Sequence, residues 1–141
     1  GLGSDRSGPN SFDVVVRSLG VGHRFPGGVM DAQDTRLEVV VRDALGRELS
    51  RDDSHALRSE VLDSHGEPLK LRETHRFVAA VWNRTLEPRG VQAARYRLEL
   101  PDDVAFPVTV SARLLHKSRN DTLARAACAE SQTAIGVASC R

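Results

Sequence analysis

The sequence predicts an all-β fold, a two-layer antiparallel immunoglobulin-like sandwich with one short C-terminal helix. Two observations predict it. Seven or eight short segments alternate apolar with polar residues, which is the period of half-buried strands. Turn signals rich in Gly and Asp separate these segments, and an alanine-rich helical stretch comes only after the last of them.

The first two predicted strands cover residues 12–18 and 35–42. In both, apolar side chains alternate with charged or polar ones, which indicates an antiparallel sheet with one face in water. Asp43-Ala44-Leu45-Gly46 follows as a tight turn, because Asp can accept hydrogen bonds from the backbone ahead of it and Gly tolerates the left-handed conformation. A return strand is therefore predicted from Arg47, leading into a polar loop at residues 50–54.

The same turn pattern recurs at Asp63-Ser64-His65-Gly66, between predicted strands at residues 59–62 and 67–71. Residues 77–82 (Phe-Val-Ala-Ala-Val-Trp) form the most continuous apolar run, which predicts a central strand buried on both faces. Alternation returns at residues 91–100 and 107–117. The predicted core contains one apolar face from each of these strands: Phe12, Val14, Val39, Val41, Val81, Trp82, Leu98, Val110 and Leu114.

Three regions divide the chain. Residues 1–10 are rich in Gly, Ser and Pro and are predicted to be a flexible linker or a remnant of processing, and residues 11–118 are the sandwich domain. Residues 119–141 hold a helix over 122–130, capped by Asn120 or Asp121, and an irregular tail from residue 131 onward.

Composition excludes several function classes. The 20 basic and 19 acidic residues leave a net charge of +1, so no global charge attracts nucleic acid or an anionic membrane. No apolar run reaches the roughly 18 residues of a membrane span. Aromatic residues make up only 4% of the chain, which argues against stacking platforms for sugars or single-stranded nucleic acid.

The loop Gly22-His23-Arg24-Phe25-Pro26-Gly27-Gly28 is the strongest functional candidate, because its composition suits neither helix nor strand. Gly22, Pro26, Gly27 and Gly28 are predicted to shape it. His23 has two interpretations. Its ring could anchor the backbone of the loop, in which case His23→Ala costs about 1–3 kcal/mol, or it could bind a metal or a haem iron.

Other candidate chemistry is weaker. His55, His65, His75 and His116 show no spacing that puts two ligands on one face of an element. The acidic pairs Asp31 with Asp34 and Asp102 with Asp103 lack the dense ligand pattern of a calcium loop. The chain also has no Gly-x-Ser-x-Gly elbow, and we therefore predict that the domain is not an enzyme.

Cys128 and Cys140 are the only cysteines, and they form no Cys-x-x-Cys-His motif. Covalent haem attachment needs that motif, so no cofactor is predicted within this chain. A disulfide between the two would close a loop worth roughly 3 kcal/mol; two free thiols are the alternative.

Several motifs in order give a family resemblance. A valine strand leads into Gly22-His23-Arg24-Phe25-Pro26-Gly27-Gly28, which resembles a Gly-His-x-x-Pro-x-Gly loop. Leu37 to Arg47, Thr85-Leu86-Glu87-Pro88, Leu100-Pro101 and Val110 to Leu114 follow in the order of the same family. Over residues 12–118 the chain resembles the C-terminal β-sandwich segment of multihaem c-type cytochromes and related extracytoplasmic proteins.

The resemblance implies a non-catalytic accessory or interaction domain of a larger, cytochrome c-related electron-transfer protein. It implies a haem-bearing domain or partner protein as the binding partner, haem c in the parent protein, and a periplasmic or cell-surface location that favours the disulfide. Two alternatives remain open: a metal-dependent enzyme centred on His23, with His75 or His116 brought near by folding, and a calcium- or carbohydrate-binding module.

Overall fold

The computed structural model describes residues 10–29 and 31–135. In that part of the chain, seven strands precede one helix, and a short 3-10 turn lies at Thr74–Arg76. The elements are β1 (Asn10–Arg17), β2 (Asp34–Arg42), β3 (Glu48–Ala56), β4 (Ser59–Leu62), β5 (Ala79–Asn83), β6 (Val91–Leu98), β7 (Thr109–Lys117) and α1 (Asp121–Ile135). The predicted all-β sandwich with one C-terminal helix is confirmed.

Two antiparallel layers make the sandwich. One layer pairs β1 with β6, and the other has the order β3-β2-β7. A separate two-stranded sheet pairs β4 with β5. The central strand of the larger layer is β2, which matches β7 without interruption from Asp34 opposite Lys117 to Arg42 opposite Thr109.

The core lies between the layers. Leu37 and Val39 of β2 pack with Ala94 of β6, and partly buried side chains of the smaller layer close around them: Phe12, Val14, Val16 and Tyr96. The Phe12 and Tyr96 rings stack at a centroid distance of 5.4 Å. Burying each aliphatic side chain of this size stabilises the fold by roughly 1.5–3 kcal/mol.

Both Asp-x-x-Gly turns use a buried carboxylate in the same way. Oδ1 of Asp43 accepts the N–H groups of Leu45 at 3.0 Å and Arg47 at 2.9 Å. Oδ1 of Asp63 accepts those of His65 at 2.8 Å and Glu67 at 3.0 Å. The first turn leads directly into β3. After the second turn only an isolated bridge from Leu62 to Pro68 forms, so the predicted return strand at residues 67–71 is wrong.

The predicted polar loop at residues 50–54 is wrong, because these residues lie inside β3. The neighbour of β3 in its sheet is β2, and the other edge of β3 is unpaired among the described residues. Polar side chains on such an edge strand keep contact with water, so a strand can form without an apolar face.

The prediction of a central, doubly buried strand at residues 77–82 is also wrong. The strand begins two residues later, at Ala79, and pairs only with β4 among the described strands. Val78 is 63% exposed and Val81 is 49% exposed. Trp82 is half-buried, with the guanidinium carbons of Arg58 and Arg84 within 5.6 Å of its ring centroid. A run of apolar residues was therefore not sufficient for burial.

The other residues of the predicted core differ in how far they are buried. Val39, Val41 and Leu98 are buried, and Phe12 and Val14 are partly buried as expected. Val110 and Leu114 are 38% and 40% exposed, so placing them in the core was wrong. They lie on β7, an edge strand that the smaller layer leaves largely uncovered.

The helix α1 begins at Asp121 and continues to Ile135, so the irregular tail predicted from residue 131 is helical over its first five residues. Asn120 caps the helix by accepting the N–H of Leu123, and its amide group donates to the carbonyls of Asp31 and Lys70. Residues 1–9, Met30 and residues 136–141 lie outside the described residues, and the linker and tail predicted there stay predictions.

We expect Leu57→Ala to lower the free energy of unfolding by about 2–5 kcal/mol, because the Leu57 side chain is fully buried. Leu45→Ala is the matched control, since Leu45 is 85% exposed in the Asp43 turn. Urea unfolding followed by circular dichroism measures both. Equal losses for the two variants would contradict the observed burial pattern.

A second prediction concerns pH. The N–H groups of Glu67 and His65, together with the Arg76 guanidinium, lower the pKa of Asp63 from its ordinary value of 3.8 to about 2. The carboxylate therefore stabilises the fold above pH 3.8, and this contribution is lost as the pH falls towards 2. In thermal melts across that window, Asp63→Asn should flatten the pH dependence of the melting temperature. Asp102→Asn, at an exposed position, should leave that dependence unchanged.

Candidate functional site

A wide cleft of about 700 Å³ lies around His23. We call it the His23 cleft. Its lining combines the predicted loop with two residues that are distant in sequence: His23, Arg24, Phe25, Pro26, Gly27, Gly28, Thr85 and His116. Folding therefore brings one imidazole from the β1–β2 loop and one from the end of β7 into the same cleft.

Backbone pairing ties the loop to the segment after β5. Phe25 and Leu86 exchange two hydrogen bonds, at 2.8 and 2.7 Å. Leu86 is 2% exposed, so this attachment reaches the interior. The side-chain amide of Gln33 donates to the Gly27 carbonyl at 2.7 Å, which holds the second half of the loop. The loop is thus fixed on both sides of the cis Phe25–Pro26 peptide bond.

His23 is exposed, and one of its ring nitrogens is bonded within the loop. Nδ1 lies 2.7 Å from the carbonyl oxygen of Arg24. A carbonyl only accepts, so Nδ1 carries the proton that is shared with it. In the neutral ring the other nitrogen, Nε2, then has a free lone pair.

The shape of the loop favours glycine at two positions. A Cβ added at Gly27 would lie 3.0 Å from His23 Nδ1 and 3.2 Å from the Arg24 carbonyl oxygen. Gly28 has a φ of +95°, which side chains rarely adopt. Gly27 therefore makes room for the imidazole, and Gly28 allows the chain to turn towards β2.

His116, at the end of β7, also lines the cleft. Its Nδ1 lies 2.7 Å from the hydroxyl oxygen of Thr35, a fully buried residue on β2. Its ring centroid is 5.7 Å from that of Phe25. A hydroxyl can donate or accept, so this contact does not select one tautomer of His116.

Arg24 closes the cleft near Thr85. One guanidinium nitrogen lies 3.5 Å from the Thr85 hydroxyl, and another forms an ion pair with Glu87. The sequence pattern included Arg24 and Thr85 only as members of two motifs and did not single out Gln33. The contact between Arg24 and Thr85 joins segments 61 residues apart, which leaves no local signal.

The other histidines lie elsewhere. His65 lies in the second Asp turn, His75 is exposed in the 3-10 turn, and His55 is partly buried on β3 with an unpaired Nε2. Among residues 10–29 and 31–135, no three His, Cys, Asp or Glu side chains could together hold a metal ion.

The acidic pairs are engaged in contacts within the protein. Asp31 accepts the Glu73 N–H at 3.0 Å, Asp34 pairs with Arg36, and Asp103 binds Arg47 at 2.8 Å. Asp102 is exposed. Cys128 lies half-buried on α1, and Cys140 is outside the described residues, so the disulfide stays a prediction. No helix among the described residues is long and apolar enough to cross a membrane.

Comparisons with known proteins bear on the fold. A solved structure shares it. This is the penta-heme cytochrome c552 from Thermochromatium tepidum, with a TM-score of 0.61 and 18% sequence identity. The match covers 82% of this chain but 30% of that one. No family model and no curated protein matches the sequence.

We expect His23→Ala to destabilise the isolated domain by about 0.5–1.5 kcal/mol, because it removes one hydrogen bond at an exposed site. This expected loss overlaps only the lower end of the range of about 1–3 kcal/mol predicted for a loop anchor. His75→Ala is the control, since His75 is also exposed. Urea midpoints measure both; a loss above about 3 kcal/mol would mean that the ring supports more than its own loop.

Proposed function

We propose that this chain is a non-catalytic accessory domain of a larger electron-transfer protein that carries c-type haem. The proposal rests on the share of each chain that the structural match covers. The fold accounts for 82% of this chain and for 30% of a penta-heme cytochrome. A domain of this shape therefore occurs as a minor part of a longer haem protein, which agrees with the resemblance of the His23 loop.

The chemistry of the chain supports an accessory role. It has no Cys-x-x-Cys-His motif to attach haem covalently. The residues of the His23 cleft fit a different contribution, since an exposed imidazole with a free Nε2 is an axial-ligand type and the cleft walls are mostly apolar. Haem would supply the electron-transfer chemistry, and this domain would bind beside it and shield it from water.

The surface supports a docking partner. On β7, Val110 and Leu114 are 38% and 40% exposed, although their neighbours on β2, Val41 and Leu37, are buried. Exposed apolar surface of this kind is typical of interfaces. A haem-bearing domain or a partner protein is the proposed occupant, and a periplasmic or cell-surface location follows from the proposed class.

A metal-dependent enzyme is the second candidate, because His116 shares the cleft with His23 as that alternative required. Two imidazoles without a third protein ligand among the described residues make an incomplete zinc site. Elemental analysis of purified protein after dialysis separates the two. Stoichiometric zinc or iron would favour the enzyme.

The test of the proposed function uses the complete reading frame that contains this chain. We expect it to encode Cys-x-x-Cys-His motifs, and the protein expressed in a host that matures c-type cytochromes to carry covalent haem in a pyridine haemochrome assay. The chain of 141 residues, expressed alongside, should carry none. A complete protein without covalent haem would refute the proposal.

A further inference from the structure

We propose that His23 is held in advance as an axial ligand, through Nε2, for a haem iron that a neighbouring haem-bearing segment brings to the His23 cleft. This inference rests on the proposed function and deepens it, because it names the group that docks and the atom that receives it. Three features of the cleft carry it.

The first feature is the tautomer. The Arg24 carbonyl at 2.7 Å binds the proton on Nδ1 and leaves the lone pair on Nε2. Ligating histidines characteristically use their second nitrogen to donate to a carbonyl or carboxylate, which fixes the ring and raises its basicity. Here that second contact exists within the loop itself, so the ring needs no rearrangement to bind.

The second feature is the close packing of the His23 imidazole against the loop backbone. Gly27 lies so close that a methyl group there would approach Nδ1 to 3.0 Å and Cε1 to 3.1 Å. The Gln33 amide fixes the Gly27 carbonyl, and Phe25 is fixed to Leu86. The backbone beneath the His23 ring is therefore held by hydrogen bonds at both Phe25 and Gly27.

The third feature is that the cleft has few metal-binding side chains but a large volume. The described residues around the cleft offer two imidazoles and no third metal-binding side chain. Most protein sites for a bare transition metal need three or four such donors. An iron that already has four porphyrin nitrogens needs only one or two more. The cleft, at about 700 Å³, is of a size typical for organic cofactors and far larger than an ion requires.

His116 and Phe25 have a different part in this arrangement. Both line the cleft, with their ring centroids 5.7 Å apart. The Thr35 hydroxyl holds His116 through Nδ1 but does not fix its tautomer. We therefore assign ligation to His23, and packing against the macrocycle to His116 and Phe25.

The experiment titrates the 141-residue chain with a haem c undecapeptide that has one histidine ligand and one open axial position. Wild-type protein should convert it to the low-spin form, with a saturable shift of the Soret band. His23→Ala should weaken binding at least tenfold. His75→Ala controls for capture by any exposed imidazole, and it should bind like the wild type.

Gly27→Ala tests the positioning role. It keeps the ligand but displaces it, so binding should weaken by about tenfold, as for the loss of an outer-shell partner. His23→Met should restore low-spin binding with a spectrum of the histidine–methionine type, which a purely structural role of His23 could not produce. Thermal melts accompany each variant, and if Gly27→Ala does not fold, the His23 variants alone decide.

Three results would overturn the inference. One is equal loss of binding in His75→Ala and His23→Ala, and another is loss in His116→Ala with full binding in His23→Ala. The third is stoichiometric binding of zinc alone with no response to the haem peptide. None of these bears on whether the complete protein carries covalent haem, so the inference can fail while the proposed function stands.

Discussion

β2 is hydrogen-bonded along both edges, and its two faces carry different chemistry. On the inner face, Leu37, Val39 and Val41 are each 2% exposed, and Leu37 and Val39 pack against the β1–β6 layer. On the outer face, charged side chains flank Val40. A slip of one residue in either ladder would exchange the two faces and bury the charges. The register of β2 therefore fixes where β3 and β7 lie, and β7 carries His116 into the His23 cleft.

The charged face also holds the sheet together. Glu38 accepts from Arg51 of β3 and from Arg113 of β7, so one carboxylate links the neighbours of β2 across it. The Arg113 guanidinium, with help from Arg51, lowers the pKa of Glu38. Val40, between them, is only 4% exposed and lies among the stems of these arginines. Exposed ion pairs contribute little singly, but here they also cover an apolar side chain.

Local patterns predicted the parts of the fold that depend on local chemistry. The alternation in β1, β2, β6 and β7 and both Asp turns were visible in the sequence, since each depends on residues close together in the chain. The start of β3 was predicted as the return strand from Arg47, but its continuation over residues 50–56 was missed, because an edge strand needs no apolar face. For residues 77–82, burial depends on which strand lies opposite, and composition does not contain that information. The His23 loop could be predicted as a site, with His75 or His116 as a second histidine, but only the fold shows that His116 is the one that lines the cleft.

Val110 and Leu114 of β7, wrongly predicted as core residues, mark a part of the larger layer that the smaller layer does not cover. Val110 lies opposite Val41 and Leu114 opposite Leu37, so all four share the inner face of the larger layer. The β2 residues are sealed, whereas the β7 residues remain more than a third exposed, because the smaller layer does not extend over β7. His116 continues the same face two residues further and enters the His23 cleft. The exposed apolar surface formed by Val110 and Leu114 is therefore continuous with the His23 cleft. A haem-bearing partner seated on β7 would complete the sandwich and reach Nε2 of His23 through one contact surface.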